Sequence, residues 1–296
     1  MVTIDLGTPT APESWDAWDG VPRRVGLTLP ELRLLAERPG APLPFDVVTP
    51  AGSTVSTNGL ASRLGPSARA TQDSAYAAAL TALGDPTESR GPRGLLADSA
   101  AAPGIAGARG LLAAPRTAVD LDVAAGGVRA HAWHRQRDDA VATLATVDGL
   151  VFELSWFSTS AWPAELGRAA ALPEDITLRP SSVPTLLQVP LETVDAAVEA
   201  VRSGRPELVP IVAGDPALGV VLTALAGEAQ GRLRALVTTV DADPRPIGVA
   251  SWTLLADGWH AVRPRRGDDG AAEIEIALVE PEALAAELAP LLAEVA

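Results

Sequence analysis

The 296-residue sequence has no cysteine and no lysine. Without cysteine there are no disulfides, no thiolate metal sites and no thiol nucleophile, and secretion finds no support. Without lysine there is no phosphate-binding P-loop, and with a single tyrosine the remaining nucleophiles are serine and threonine without a placed base. The 23 basic residues face 37 acidic ones, a net charge of −14, and they form no basic run, so a phosphate backbone or an anionic membrane surface would be repelled. No window approaches the ~20 uninterrupted apolar residues of a membrane span. The start Met1-Val-Thr-Ile-Asp-Leu6 lacks a basic region ahead of an apolar core. These absences predict a cytosolic protein that neither binds nucleic acid nor inserts into a membrane.

Catalytic patterns are equally scarce. No G-x-S-x-G or H-E-x-x-H occurs, and Gly104 to Gly110 lacks the G-x-G-x-x-G order and follows a proline rather than a strand. His131 and His134 are three residues apart on a predicted strand, which puts them on opposite faces where they cannot share a metal. Asp120 with Asp122, and Glu273 with Glu275, do share a strand face and could hold a hard cation, but solvent-facing strand positions account for both pairs. The expectation is a non-enzyme with no metal and no cofactor.

What the sequence does contain is a pattern that occurs twice. Leu233 to Val240 and Ile247 to Leu255 are dense in β-branched residues and read as strands. Asp257-Gly258 suits a tight hairpin turn, so Trp259 to Val262 should run back antiparallel until Arg263-Pro264 ends the strand. Glu273 to Val279 alternates strictly, with Ile274, Ile276 and Leu278 on one face. Pro281 then opens a helix bearing Leu284, Leu288, Leu291 and Val295 at helical spacing. The weaker upstream copy runs Ala118 to Val123, a Gly126-Gly127 turn, Val128 to Arg135, Val141 to Val147, an Asp148-Gly149 turn, Leu150 to Phe157, and a helix from Ala161 to Ala171. Trp162-Pro-Ala-Glu-Leu166 and Glu280-Pro-Glu-Ala-Leu284 open the equivalent helices. Four strands and a helix, repeated, predict an α+β fold: a central antiparallel sheet with flanking helical bundles and pseudo-twofold duplicated halves in one domain. The N-terminal half covers about 20–172, a linker 173–190, and the C-terminal half 191–296.

Helices fill the intervals. Trp15 and Trp18 lie in an N-terminal arm read as packing loosely on the body. Thr28 and Glu31 form a capping box, and Leu27 with Leu32 a hydrophobic staple, so a helix starts at Thr28 and stops before Pro39-Gly40. A short strand is expected at Pro44 to Thr49, an Ala-rich helix from Ser67 to Leu83, and a long loop with short helical turns from Asp85 to Pro115. Leu191, Val194, Val198 and Val201 fall on one face of a helix ended by Gly204. Asp215 caps a following helix with Pro216 in its first turn and Leu218, Val221, Leu222 and Leu225 as its apolar face.

The run Leu27-Thr-Leu-Pro-Glu-Leu-Arg-Leu-Leu35 with Leu43-Pro-Phe-Asp-Val-Val48, then Leu111 to Val123, then Pro246-Ile-Gly-Val-Ala-Ser-Trp252 with Asp257-Gly258, resembles the EspG family of type VII (ESX) secretion-associated proteins of actinobacteria. The resemblance spans most of the chain and rests on the order of these elements. It implies a cytosolic chaperone with a central antiparallel sheet and two helical bundles. It further implies partners: helical PE–PPE or WXG-like secretion substrates, whose hydrophobic tip the chaperone covers, keeping them soluble and targeting them for export. A homodimer is left open. Two other readings stand beside it: a small-molecule-binding or enzymatic α/β domain, and a scaffold of a secretion system.

A chaperone of this kind needs apolar anchors framed by polar groups. Two places qualify. The loop ends of the sheet offer Gly126 and Gly127, and Arg135, Arg137 and Asp139; the helix after Asp215 offers Leu218, Val221, Leu222 and Leu225. Charge reversal at Arg137 with Asp139 should then weaken client binding without altering thermal stability, whereas Leu225→Asp should lower stability itself.

Overall fold

The computed structural model describes residues 21–36, 68–83, 96–97, 100–240 and 244–295. The predicted strand at 44–49 and the Trp15 and Trp18 arm lie outside the described residues. Twelve strands are present among them, ten in one sheet.

In chain order the elements begin with β1 (Arg23–Thr28), α1 (Leu29–Ala36), α2 (Ala68–Ala82), the two-residue strands β2 (Leu96–Ala97) and β3 (Ala100–Ala101), and α3 (Pro103–Ala113). The meander β4 (Thr117–Ala125), β5 (Val128–Arg137), β6 (Ala140–Thr146) and β7 (Val151–Ser158) follows, closed by α4 (Trp162–Ala170). Next come β8 (Leu186–Pro190), α5 (Leu191–Arg202), α6 (Val209–Ala213) and α7 (Pro216–Glu228). A second meander, β9 (Gly231–Thr239), β10 (Arg245–Leu255), β11 (Gly258–Arg266) and β12 (Ala272–Val279), ends in α8 (Ala283–Ala293). The hydrogen-bonding order is β1-β7-β6-β5-β4-β9-β10-β11-β12-β8. Read from either edge, it gives one strand followed by a helix in sequence, then a four-strand meander in reverse. The fold is α+β with a large antiparallel sheet.

The sequence expectations differ from this structure at five places. Within 85–115, residues 103–113 form a helix rather than a loop. Pro103 occupies its first turn, and Ile105, Ala108 and Leu112 are buried at spacings of three and four, a face that the surrounding glycines obscure in the sequence. β11 continues past Arg263-Pro264 to Arg266. Its pairing with β10 stops at Val262, so beyond that point only β12 is a neighbour and the missing N–H of Pro264 disrupts no second ladder. The turn before β11 is Ala256-Asp257, with Gly258 at φ 138° already paired to Leu255. Finally, the strand β1 precedes the Thr28 helix, and the last five residues of the 173–190 connector form the strand β8, paired to β12 from Ala277↔Leu186 to Glu273↔Pro190.

The chain divides into two compact units, one of Thr3–Arg116 with His134–Thr159 and one of Thr117–Trp133 with Ser160–Ala296. In the first, the capping box forms: Thr28 N–H donates to Glu31 Oε2 at 2.8 Å and Glu31 N–H to Thr28 Oγ1 at 3.4 Å. Leu27 and Leu32 are both buried, as the staple requires. β1 pairs antiparallel with β7 from Arg23↔Trp156 to Thr28↔Val151, and the buried Leu154, Phe152 and Phe157 of β7 belong to the core of this unit.

In the second unit β4 pairs antiparallel with β9, from Thr117↔Thr239 to Ala125↔Gly231. Paired residues share a face, so Trp252, Leu254, Trp259 and Ala261 point to one side, and all are buried. α4 and α8 pack on that side. Trp259 Nε1 donates to the carbonyl of Ala170 at the end of α4 at 2.8 Å, and Trp252 and Trp259 lie 6.2 Å apart. Arg263 Nε donates to Glu287 on α8 at 2.7 Å, and its Nη1 donates to Glu275 on β12 at 3.0 Å.

Candidate partner-binding surface

The helices α5, α6 and α7 form a small assembly of their own. α5 ends at Gly204, whose φ of 71° lets the chain reverse after Ser203 N–H has bonded the Glu199 carbonyl at 2.9 Å. α7 starts where Asp215 accepts from the Ala217 N–H at 2.9 Å, with Pro216 in the first turn. Their shared core is Ala197, Ala200, Val209 and Leu222, with Val194, Leu208, Ala213, Leu218 and Leu225 packed around it. Gly219 allows the closest approach: a Cβ there would sit 2.8 Å from the Cα of Pro210 on α6. Glu228, at the end of α7, accepts from Ser181 Oγ at 2.5 Å and Ser182 N–H at 2.9 Å. The Ser181 hydrogen bond, then that from Ser182, holds its carboxyl below the ordinary glutamate value.

Because α5 packs mainly through two alanines, with Val194 beside them, most of its regular apolar stripe turns outward. Val198 is 51% exposed, and Leu191 and Val201 are also exposed. Ile211 on α6 is 72% exposed and Val220 on α7 is 67% exposed, with Val212 exposed beside them. Ile211 and Val220 follow directly on Pro210 and Gly219, so they flank the same crossing of α6 and α7. Six large apolar side chains thus stand in solvent on three consecutive helices. An amphipathic helix ordinarily buries such a face, and clustered exposed apolar side chains mark an interaction site.

No family model and no curated protein matches the sequence. Among solved structures, the chain is similar to the type VII secretion system chaperone EspG5 of Mycobacterium tuberculosis, whose structure was determined in complex with the PE25–PPE41 dimer. The superposition has a TM-score of 0.58 at 12% identity and covers 91% of this chain and 96% of that one. The fold is EspG-like.

Within the EspG-like fold, the residues singled out from sequence have different fates. Gly126 and Gly127 form the β4–β5 turn at φ 59° and 77°, values that favour glycine, and a Cβ on Gly126 would meet Ile176 Cγ1 at 3.3 Å. Arg135 is only 6% exposed, with its Nη1 donating to the His134 carbonyl at 2.9 Å, so it offers no rim charge. Arg137 Nε donates to the carbonyl of Ala114 at 2.6 Å, and the Asp139 side chain accepts from the Thr159 hydroxyl while its carbonyl accepts the Thr159 N–H at 3.0 Å. Both are exposed and tie the β5–β6 turn to the segments before β4 and after β7. Of the α7 residues, Leu222 is buried and Leu218, Val221 and Leu225 are half-buried, with Leu218 and Leu225 on the shared core.

The exposed large apolar side chains of these helices are Leu191, Val198, Val201, Ile211, Val212 and Val220, none of which the sequence selected as a contact. A signal existed: α5 carries Ala197 and Ala200 on a second helix face, and α7 has more apolar residues than one face can bury. The acid pairs considered for a cation are engaged otherwise. Asp122 meets Arg129, with Arg129 Nε at 3.3 Å, His131 Nδ1 at 3.9 Å and Arg232 Nη2 at 4.0 Å. Burial opposes its ionisation, but the Arg129 hydrogen bond and the nearby cations outweigh it and lower the Asp122 pKa. Glu273 pairs with Arg265 at 3.4 Å, and Glu275 pairs with Arg263. His134 is buried, with Nδ1 3.0 Å from Thr143 Oγ1. No group of three or more metal-ligating side chains occurs among the described residues, and no described helix is long and apolar enough to cross a membrane.

Proposed function

We propose that this chain is a cytosolic chaperone of a type VII secretion system. It covers the apolar tip of a helical secretion substrate with the outward faces of α5, α6 and α7, keeps that substrate soluble and hands it on for export. The observation that carries this reading is on α5: Leu191, Val198 and Val201 of its regular apolar stripe are exposed, while Ala197 and Ala200, joined by Val194, make the core. Exposing such a face is costly in the free protein and is compensated when a partner's apolar surface covers it. The EspG-like fold supports the same reading, since EspG5 was solved with a PE–PPE dimer. Pairs of small helical proteins of the PE–PPE or WXG type are the partners to test.

Coexpression with such proteins, followed by size-exclusion chromatography, tests the proposal. The wild type should elute with its client, and Ile211→Asp with Val220→Asp should lose it at an unchanged melting temperature. Retention of the client by that double variant would place the contact elsewhere.

A further inference from the structure

The outward apolar face of α5 does not simply end in solvent. At its N-terminal end Leu191 also forms a wall of a cavity of about 270 Å3, lined otherwise by Pro190, Glu192, Asp195, Ala271 and Ala272. Asp195 lies three residues before Val198, one helical turn along the same surface, so the carboxylates and the apolar stripe are neighbours on α5. Between α5 and α7, Glu199 pairs with Arg202 at 3.4 Å and Glu207 with Arg205 at 3.3 Å. Glu192 and Asp195 have no ion-pair partner among the described residues. The adjoining β11–β12 loop adds Asp268 and Asp269, and one cation, Arg266, opposite Ala272, whose Nη1 donates to the Gly270 carbonyl at 3.4 Å. From Leu191 to Gln230 there are six carboxylates against two arginines, a net charge of −4. The end of the docking face is therefore acidic.

We propose that the occupant of this surface is an amphipathic helix whose apolar face is flanked by lysine or arginine, and that one basic side chain enters the cavity at Leu191, Glu192 and Asp195. This rests on the client-binding reading of the same helices and adds the charge of the client. In the free protein the two carboxylates are hydrated and complement the N-terminal end of the α5 dipole. When an apolar partner docks beside them they lose water, and a partner that brings no cation leaves them uncompensated while one that brings a carboxylate adds repulsion. A basic flank removes both costs. The site thereby selects among apolar helices by their flanking charge, a discrimination the valine and isoleucine contacts do not supply.

The test uses the full chain and two helical peptides of about five turns, stapled to hold their conformation, with the same leucine face flanked by either lysines or glutamates. Binding is read by fluorescence anisotropy for the wild type, for Glu192→Gln with Asp195→Asn, and for Ile211→Asp with Val220→Asp. The lysine peptide should bind the wild type about tenfold more tightly than the glutamate peptide at low salt. The amide variant should reduce that preference to about twofold, and the Asp variant should lose both peptides. Equal affinity for the two peptides, or a preference untouched in the amide variant, overturns the cationic contact; if the Asp variant still loses both peptides, the client-binding reading survives. Failure of both peptides to bind the wild type overturns the two together.

Discussion

At the scale of single residues, the helices of the candidate surface depend on the absence of one methyl group. Gly219 lets α7 meet the backbone of Pro210, where a Cβ would be 2.8 Å from Cα, and backbone cannot give way as a flexible side chain can. Gly219→Ala should therefore cost about 1–3 kcal/mol in chemical denaturation. Gly227 on the same helix has open space where a methyl group would stand, with nothing within 4 Å, so Gly227→Ala should be neutral or stabilise by up to ~1 kcal/mol. A second residue-level expectation concerns acid. The hydrogen bond from Arg263 holds the Glu275 carboxyl below its ordinary value of 4.5. A depressed carboxylate pKa stabilises the fold fully above its unfolded value and ceases to do so as pH falls through the folded one. The wild type should thus be more stable than Arg263→Ala at neutral pH, and the gap should close below about pH 4.5, as followed by denaturation at a series of pH values.

At the scale of elements, α5 shows why helical spacing alone does not say which face is buried. Leu191, Val194, Val198 and Val201 make a regular stripe, yet of these only Val194 packs on the core shared with α6 and α7, which is built on Ala197 and Ala200 because two small residues allow short helices to approach closely. Val198→Ser should change stability by no more than about 0.5 kcal/mol. Ala200→Leu, by overfilling the contact, should destabilise by about 1–3 kcal/mol in the same assay. The β5–β6 turn makes the complementary point. Arg137 and Asp139 are exposed, and each also ties the turn to another segment, Arg137 to the Ala114 carbonyl before β4 and Asp139 to Thr159 after β7. Reversing both charges should lower the melting temperature while client capture by α5, α6 and α7 is retained, which thermal denaturation and coexpression together would check.

At the scale of the molecule, two runs of strand, helices, four-strand meander and helix meet in one ten-stranded hydrogen-bonding order, with β4 against β9 in the middle. The duplication reserves the same place in each run for helices between the edge strand and the meander. In the second run that place holds α5, α6 and α7, joined to the sheet through β8 and tied at the far end by Glu228 to Ser181 and Ser182. With Ile211→Asp and Val220→Asp together, client capture in coexpression should be lost while the melting temperature is unchanged.

Local sequence patterns specify the strands of both meanders, the helices that close them and the Thr28–Glu31 cap. Alternation, turn residues and capping pairs are local, and local rules place them within a residue or two. They do not show the helix at 103–113, where glycines dilute the apolar spacing, nor the extension of β11 through Pro264, which depends on which neighbour lies on each side. The exposed apolar residues of α5 belong to the same class. Whether Val198 or Ala197 faces the core, and that Arg137 reaches the Ala114 carbonyl, is decided by what packs beside each residue. That partner lies on another helix or strand, so only the tertiary structure could settle it.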